Sequence, residues 1–407
     1  METQVNMRRA PVIISVFDLE AKKHGSMEDY ALHLSRSLKV RGWKSILVFV
    51  RGVTPEIRKV LSEAGAVVEV IPKGGQPGCY VGLLRVLWKY RGDIVHYHFL
   101  EHFSLLPILG LLPRPRLQIF TDHFRQPQPI GWLTRSQCIV WDRLVFGTLG
   151  IRILAVSAHI KNTLVDCYRM KPRRITVIPN GVSLERFKPG HSGLHNEICN
   201  EFGVPSNTAL IISASNLRPE KGIADLLTAA ETVVAEKPNT LFLVVGEGAE
   251  RQALLERTAE KGLQKFVRFT GSRSDVHRLM AAGDVVVAPS AWQEPAGLVV
   301  IEGMAAGRPV VATRVGGIPE YVEDGVTGIL VEAHAPQQFA GALLRLLNAP
   351  AEAEAMGRAG RARVEARFSM ERWVHDTERV YETVLTSELK PAPDNQTRNG
   401  PGSEMTA

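Results

Sequence analysis

The chain has 407 residues, 45% hydrophobic and 22% charged, a composition that fits a folded protein with two cores and excludes a disordered or low-complexity one. Its net charge of +7 is unevenly placed, because residues 1–190 carry 28 Lys and Arg against 14 Asp and Glu while the remainder carries 21 against 28. The four cysteines (Cys79, Cys138, Cys167, Cys199) lack metal or redox spacing, and there is no apolar leader and no run of about 18 apolar residues, which argues against export and membrane spanning.

In chain order, Val12–Phe17 reads as a buried strand, and a loop around Gly25 leads to a helical pattern at about 27–40. The alternation continues with strands at 45–50 and 66–71, a helix at 81–90, and strands at 94–98, 117–121 and 153–156. Residues 189–193 are polar and Gly-containing and read as an interdomain linker. A second alternating set has strands at 209–213, 241–245, 267–269, 285–288, 310–312 and 328–331, then helices at 335–348 and 370–385. Strand, helix, strand repeated twice predicts an α/β chain of two doubly wound parallel sheets. The expected domains are 1–188 and 207–369, joined by a linker at 189–206. The Pro, Gly, Asn and Ser-rich tail from 388 is expected to be disordered.

Two carboxylates eight residues apart dominate the second half, in Glu294-Pro-Ala-Gly-Leu-Val-Val-Ile-Glu302. Small residues at the turn and an apolar run behind it put Glu294 in a strand-to-helix loop and Glu302 about two turns inside the helix. Pro295 has no N–H to give, so the donor amides at this helix start belong to Gly297, Leu298 and Val299. Such an end suits a diphosphate flanked by hydroxyl-rich groups, the shape of a nucleotide-sugar. Lys221, in Leu217-Arg-Pro-Glu-Lys-Gly222, follows the strand ending near Ala214, at the edge where open parallel sheets bind ligands.

These elements, together with Val177-Ile-Pro-Asn-Gly181, Val244-Val-Gly-Glu-Gly248 and Val315-Gly-Gly-Ile-Pro-Glu320, resemble the retaining glycosyltransferases of the GT-B fold, family 4. The resemblance implies two Rossmann-like domains facing across a cleft, with a last helix at about 370–387 crossing back onto the first domain. It implies Lys221 on the donor phosphate, Glu302 on the nucleotide ribose and Glu294 on the transferred sugar. His123, in Thr121-Asp-His123, would reach the sugar or its phosphate. The family usually has an arginine where this chain has Asn216, so Arg218 is expected to bring the second positive charge, with Asn216 as a weaker donor contact. Gly25 would approach the diphosphate from the first strand-helix loop. The resemblance further implies a front-face reaction with no metal and no cofactor beyond the nucleotide-sugar.

His96 and His98 alternate along one strand, with one of them expected to point inward, and Ser157 is expected to cap the helix after it. Gly246-Glu-Gly248 lacks the third glycine of a dinucleotide fingerprint, and no P-loop or Asp-x-Asp is found, so redox, NTPase and metal-bridged chemistry are not expected. A nucleotide-sugar 2-epimerase and an inactive donor-binding scaffold share the architecture; acceptor dependence separates a transferase from the first, and failure to turn over any donor despite tight nucleotide binding would mark the second. The acceptor is expected to be a glycan, a lipid-linked group or a small molecule. The location expected is the cytoplasm, peripheral at the inner face of the membrane where the basic half meets anionic lipid. Nucleic acid is not expected as a partner, since no binding motif or aromatic-interleaved basic run is present.

Overall fold

A computed structural model of the chain describes residues 9–21, 25–72, 77–99, 104–112, 114–123 and 132–385. The expected tail from 388 and the N-terminal segment before 9 lie outside the described residues. The first sheet contains β1 (Val12–Phe17), β2 (Lys44–Val50), β3 (Ala66–Ile71), β4 (Ile94–His98), β5 (Leu117–Asp122), β6 (Arg152–Ala155) and β7 (Ile175–Val177), in the order β3-β2-β1-β4-β5-β6-β7. The second contains β8 (Ala209–Ala214), β9 (Thr240–Val245), β10 (Val267–Gly271), β11 (Val285–Ala288), β12 (Val310–Thr313) and β13 (Ile329–Val331), in the order β10-β9-β8-β11-β12-β13. Every pairing in both sheets is parallel.

The central strands are continuous apolar runs because helices cover both faces of each sheet. Val12-Ile-Ile-Ser-Val-Phe17 and Thr240-Leu-Phe-Leu-Val-Val245 are buried along their whole length. In each sheet the chain winds outward from its first strand, then returns to that strand's other side, giving switch points between β1 and β4 and between β8 and β11. Neighbouring loops diverge at such a point and leave a crevice at the carboxyl ends of the strands.

Two connections hold the crevices face to face. The Met370–Leu385 helix leaves the second domain and packs on the first, burying Trp373, Val374 and Tyr381 in one cluster with Ile13, Phe17 and Tyr30. Tyr30 stacks on Trp373 with ring centroids 4.2 Å apart, and Arg41 Nε donates to Glu378 at 3.0 Å. Where the chain passes between domains, Val182 N donates to Phe368 O and Met370 N to Val182 O, each at 2.9 Å.

Among the elements the sequence pattern does not single out, three have a clear physical reason. Residues 189–206, expected as a linker, contain the helix Leu194–Glu201, which buries Leu194, Ile198 and Cys199. Its apolar face is only three residues set among polar ones, too short a period to stand out. The three-residue strand β7 is likewise too short to signal itself. The helix Pro350–Arg367 was missed because its residues are mostly Ala, Gly, Glu and Arg, with little apolar contrast between its faces.

A Cβ added at Gly181 would lie 2.3 Å from the carbonyl oxygen of Ser369, whereas one at the exposed, helical Gly341 would meet nothing within 4 Å. Gly181→Ala is therefore expected to destabilise the protein by about 1–3 kcal/mol through forced backbone displacement. Gly341→Ala should be neutral or stabilising by up to about 1 kcal/mol. Urea denaturation of both variants checks the opposite signs.

Candidate active site

A cavity of about 440 Å³ lies where the two crevices meet. Its second-domain wall is built from the loops after β8 and β11 and from the start of the helix Leu298–Ala305; its first-domain wall is Met27, Phe99, His123, Val156 and Asn180.

The loop after β8 turns through the short helix Pro219–Lys221, and Gly222 ends it with φ +65°. A Cβ on Gly222 would sit 1.9 Å from Pro289 O, so only glycine lets this loop lie against the backbone after β11. Ala291 N donates to Glu220 O at 3.0 Å across the same seam. Lys221 is thereby delivered to Glu294, and its ammonium pairs with Glu294 Oε1. Ser290 Oγ donates to the same oxygen at 2.8 Å. The backbone of Glu294 is fixed from behind: its carbonyl accepts from Gly317 N at 2.7 Å, and a Cβ on Gly316 (φ +56°) would lie 2.1 Å from it.

Gly297, with φ +66°, starts the helix; Val300 N turns back to Gly297 O at 2.9 Å, and the Leu298 and Val299 N–H groups before it have no partner within the helix. Gly297, Leu298, Val299 and Glu302 all line the cavity. Ser26, on the first domain, donates to Glu302 Oε1 at 3.1 Å. Desolvation raises the Glu302 carboxyl above the ordinary glutamate range, with the Ser26 bond pulling the other way. One wall of the cavity thus gathers an ammonium, two carboxylates and a helix N-terminus from the loops after β8 and β11 and the helix Leu298–Ala305.

The opposite wall is neutral. His123 is buried and stacks on Phe99 with centroids 4.2 Å apart; its Nε2 is 3.4 Å from His98 Nδ1. Burial pulls its pKa from 6.5 down to about 3, so at pH 7 the ring is neutral. His123 can therefore hydrogen-bond a ligand but offers it no charge. His98 packs between Phe17 and His96, and His96 is bonded to Tyr381 at 2.7 Å and to Thr121 at 2.6 Å. Only one of His96 and His98 was expected inward; residues two apart on a strand share a face, and both are buried beneath the Met370–Leu385 helix.

Lys221, Glu294, Glu302, Gly297, Leu298, Val299, Asn216 and His123 meet at one cavity, but Arg218 and Gly25 do not. Arg218 is extended just before the short helix, its side chain 64% exposed and 3.7 Å from Glu220. The turn that aims Lys221 inward leaves the residue three earlier on the outside. Gly25 N–H is held by Glu28 Oε2 at 3.0 Å as part of its own helix cap, so it is not free to approach a phosphate. Ser157 caps its helix, accepting from Ile160 N at 3.2 Å.

Other residues of the site had no sequence signal of their own role. Ser26 and Ser290 hold the two glutamates. Asn180 is buried in the cavity wall with its Oδ1 lacking a partner, and it stands in the Ile-Pro-Asn-Gly motif that was recognised without a function. Glu320 closes the Gly-Gly-Ile-Pro-Glu motif and accepts from Ala158 N and His159 N, each at 2.7 Å, capping a first-domain helix from the second domain. Gly246 and Gly248 lie under the Lys221 loop, where a Cβ would be 1.9 Å from Ser215 O and 2.2 Å from Leu217 O. Their spacing serves loop-on-loop packing. Among the described residues no three His, Cys, Asp or Glu side chains converge as a metal-ligand set, and no helix is long and apolar enough to cross a membrane.

Comparison with known proteins adds a family to this geometry. The profile "Glycosyl transferases group 1" matches residues 195–363 and "Glycosyltransferase Family 4" matches residues 27–186. A D-inositol 3-phosphate glycosyltransferase of Geodermatophilus obscurus is 30% identical over 90% of this chain and 86% of its own length. The enzyme of that name from Segniliparus rotundus is 35% identical over 69% of this chain, the match spanning 64% of that protein. A glycosyltransferase from Rickettsia africae superposes with a TM-score of 0.79 at 22% identity, covering 93% of this chain and 99% of its own. HepE of Anabaena, in complex with UDP-glucose, does so with 0.77 at 20% identity, covering 91% and 99%. The two facing parallel sheets are thus the GT-B fold.

The buried histidines make stability depend on pH. Burial lowers His96 and His123 to about 3 and His98 well below 6.5. Between pH 6.5 and 3 the unfolded chain binds protons that the folded one refuses, so stability falls with falling pH by up to about 1.4 kcal/mol per unit for each histidine. Urea midpoints measured from pH 7 to pH 5 should drop steeply, and His98→Phe should flatten the slope. An unaltered slope in that variant would contradict a neutral, buried His98.

Proposed function

The chain belongs to glycosyltransferase family 4, and from that premise we propose that it transfers a sugar from a nucleotide-diphosphate-sugar to an acceptor hydroxyl with retention of anomeric configuration. The observation that carries the reading is the joint placement of Lys221, Glu294 and Glu302 around one helix start in the interdomain cavity. The leaving diphosphate gains negative charge as the C1–O bond breaks, and a cation with helix-start amides already aimed at it lowers that barrier. Lys221 and the amides of Leu298 and Val299 take this role. Glu302 accepts from the ribose hydroxyls and Glu294 from hydroxyls of the transferred sugar, each acting as an acceptor.

Neutral His123 faces the sugar from the first domain. In the proposed front-face course, the acceptor oxygen bonds to C1 as the phosphate oxygen departs, and the phosphate takes the acceptor's proton. No metal is assigned a step. The second-domain charges then carry donor binding, while first-domain residues orient the reacting groups and exclude water. UDP-sugars are the first donors to test, given the Anabaena neighbour's ligand, and inositol phosphates the first acceptors, given the relatives' names.

Nucleotide release from UDP-, GDP-, ADP- and dTDP-sugars, with EDTA present and with or without inositol 3-phosphate or a lipid extract, tests the reading. One donor turned over only with acceptor, giving product of unchanged anomeric configuration by NMR, is the expected result. Isomerisation indifferent to acceptor would replace it with an epimerase. Glu294→Gln and Lys221→Ala should each lower turnover at least about a hundredfold. Glu302→Gln should act mainly on donor KM, raising it about tenfold through loss of a charge-assisted bond.

A further inference from the structure

A second cavity, of about 520 Å³, opens in the first domain away from the cleft. Its floor is apolar and buried: Ile153 of β6 with Phe146, Tyr168 and Met170. Its walls are Arg143, Arg169, Lys171 and Arg174, and no Asp or Glu lines it. Ile153 lies three residues before Val156, the point where the same stretch of chain reaches the catalytic cavity, and Lys171 and Arg174 precede β7. The pocket therefore sits toward the amino-terminal edge of the sheet, while the cleft occupies the carboxyl edge.

Three features set this pocket apart from ordinary solvated charge. Its cations are unneutralised: Arg143, Arg169 and Lys171 are exposed, and none is ion-paired among the described residues. Its backbone is irregular on both sides, with Asp142–Gly147 in a π-helix and Arg169 held at φ +57°, a conformation costly for a non-glycine residue. Arg174 Nη1 donates to Phe146 O at 2.6 Å and ties the two segments together. Beside Arg143, Val140 and Leu144 stand 54% and 61% exposed. The surrounding stretch, residues 132–175, carries eight Lys and Arg against two Asp.

We propose that this pocket binds the phosphate headgroup of an anionic lipid, with the basic wall taking the phosphate, the apolar floor the first methylenes, and Val140 and Leu144 entering the acyl boundary. A free phosphate would gain nothing from the apolar floor, whereas an amphiphile uses both halves of the pocket. Nucleic acid fits less well, because the aromatic rings are buried in the floor and present no face for stacking bases. The inference is independent of the catalytic reading, since none of these residues lines the interdomain cavity.

Sedimentation of the full chain with vesicles of phosphatidylglycerol in phosphatidylcholine, against phosphatidylcholine alone, tests the proposal. Binding is expected only to the anionic vesicles and should weaken between about 0.05 and 0.3 M salt. Each basic side chain at an anionic leaflet is worth about a fivefold gain, so Arg143→Glu/Lys171→Glu should bind at least about tenfold more weakly. Leu144→Ser should weaken binding without changing its salt dependence, which keeps the test informative if the double variant misfolds. Both variants should retain wild-type nucleotide release in vesicle-free buffer. Equal binding to neutral vesicles, undiminished binding by the charge-reversed variant, or binding of inorganic phosphate without any vesicle binding would each overturn the proposal.

Discussion

The candidate site depends on one backbone contact, the seam where the loop after β8 lies against the loop after β11. Gly222 at φ +65° permits that approach, with Pro289 O occupying the space a Cβ would need. Without it Lys221 and Glu294, 73 residues apart in the chain, would have no reason to meet. The seam is supported from two sides: the Gly246–Gly248 turn packs under the first loop, and Gly316–Gly317 grips the carbonyl of Glu294 in the second. Backbone-on-backbone packing of this kind leaves little freedom, which is how loops can hold charged side chains in place.

The two walls of the cleft divide the electrostatic work. The second domain supplies an ammonium, two carboxylates and a helix start. The first presents a histidine kept neutral by burial, at the end of a row of rings that reaches Tyr381 on the crossing helix. In the proposed reaction a charged His123 would compete with Lys221 for the diphosphate, whereas a neutral one would orient the sugar without that competition. Glu302, bonded to Ser26 across the cleft, and Glu320, capping a first-domain helix, are second-domain carboxylates that also join the domains. In the proposed reading Glu302 thus serves both donor recognition and domain alignment.

The basic surplus of the first half acquires a location in the folded chain. Part of it gathers around an apolar-floored pocket at the amino-terminal edge of the first sheet, while the interdomain cavity lies at the carboxyl edge. In the proposed lipid contact, one edge of the sheet meets the surface while the cleft at the other edge stays open to soluble donor.

Alternation of apolar strands and helical patterns determined the two-sheet architecture from sequence alone, because local periodicity and strand burial are properties of short segments. The same holds for Glu294, Gly297 and Glu302, whose relation is set within one loop and two helical turns. Short elements such as Leu194–Glu201 and Ile175–Val177 escaped because they offer too few apolar residues to show a period. Arg218 and Gly25 were placed by analogy of position, and local geometry decided otherwise: a 3₁₀ turn directs Lys221 inward and leaves Arg218 in solvent, and Glu28 occupies the Gly25 amide. The pairing of Ser26 with Glu302, the role of Glu320 and the gathering of four cations around Ile153 join residues from distant parts of the chain, so no segment read by itself contains them. What the sequence by itself determined is what neighbours along the chain enforce; what only the tertiary structure decided is which distant groups share a cavity, since that follows from sheet order and loop-on-loop packing.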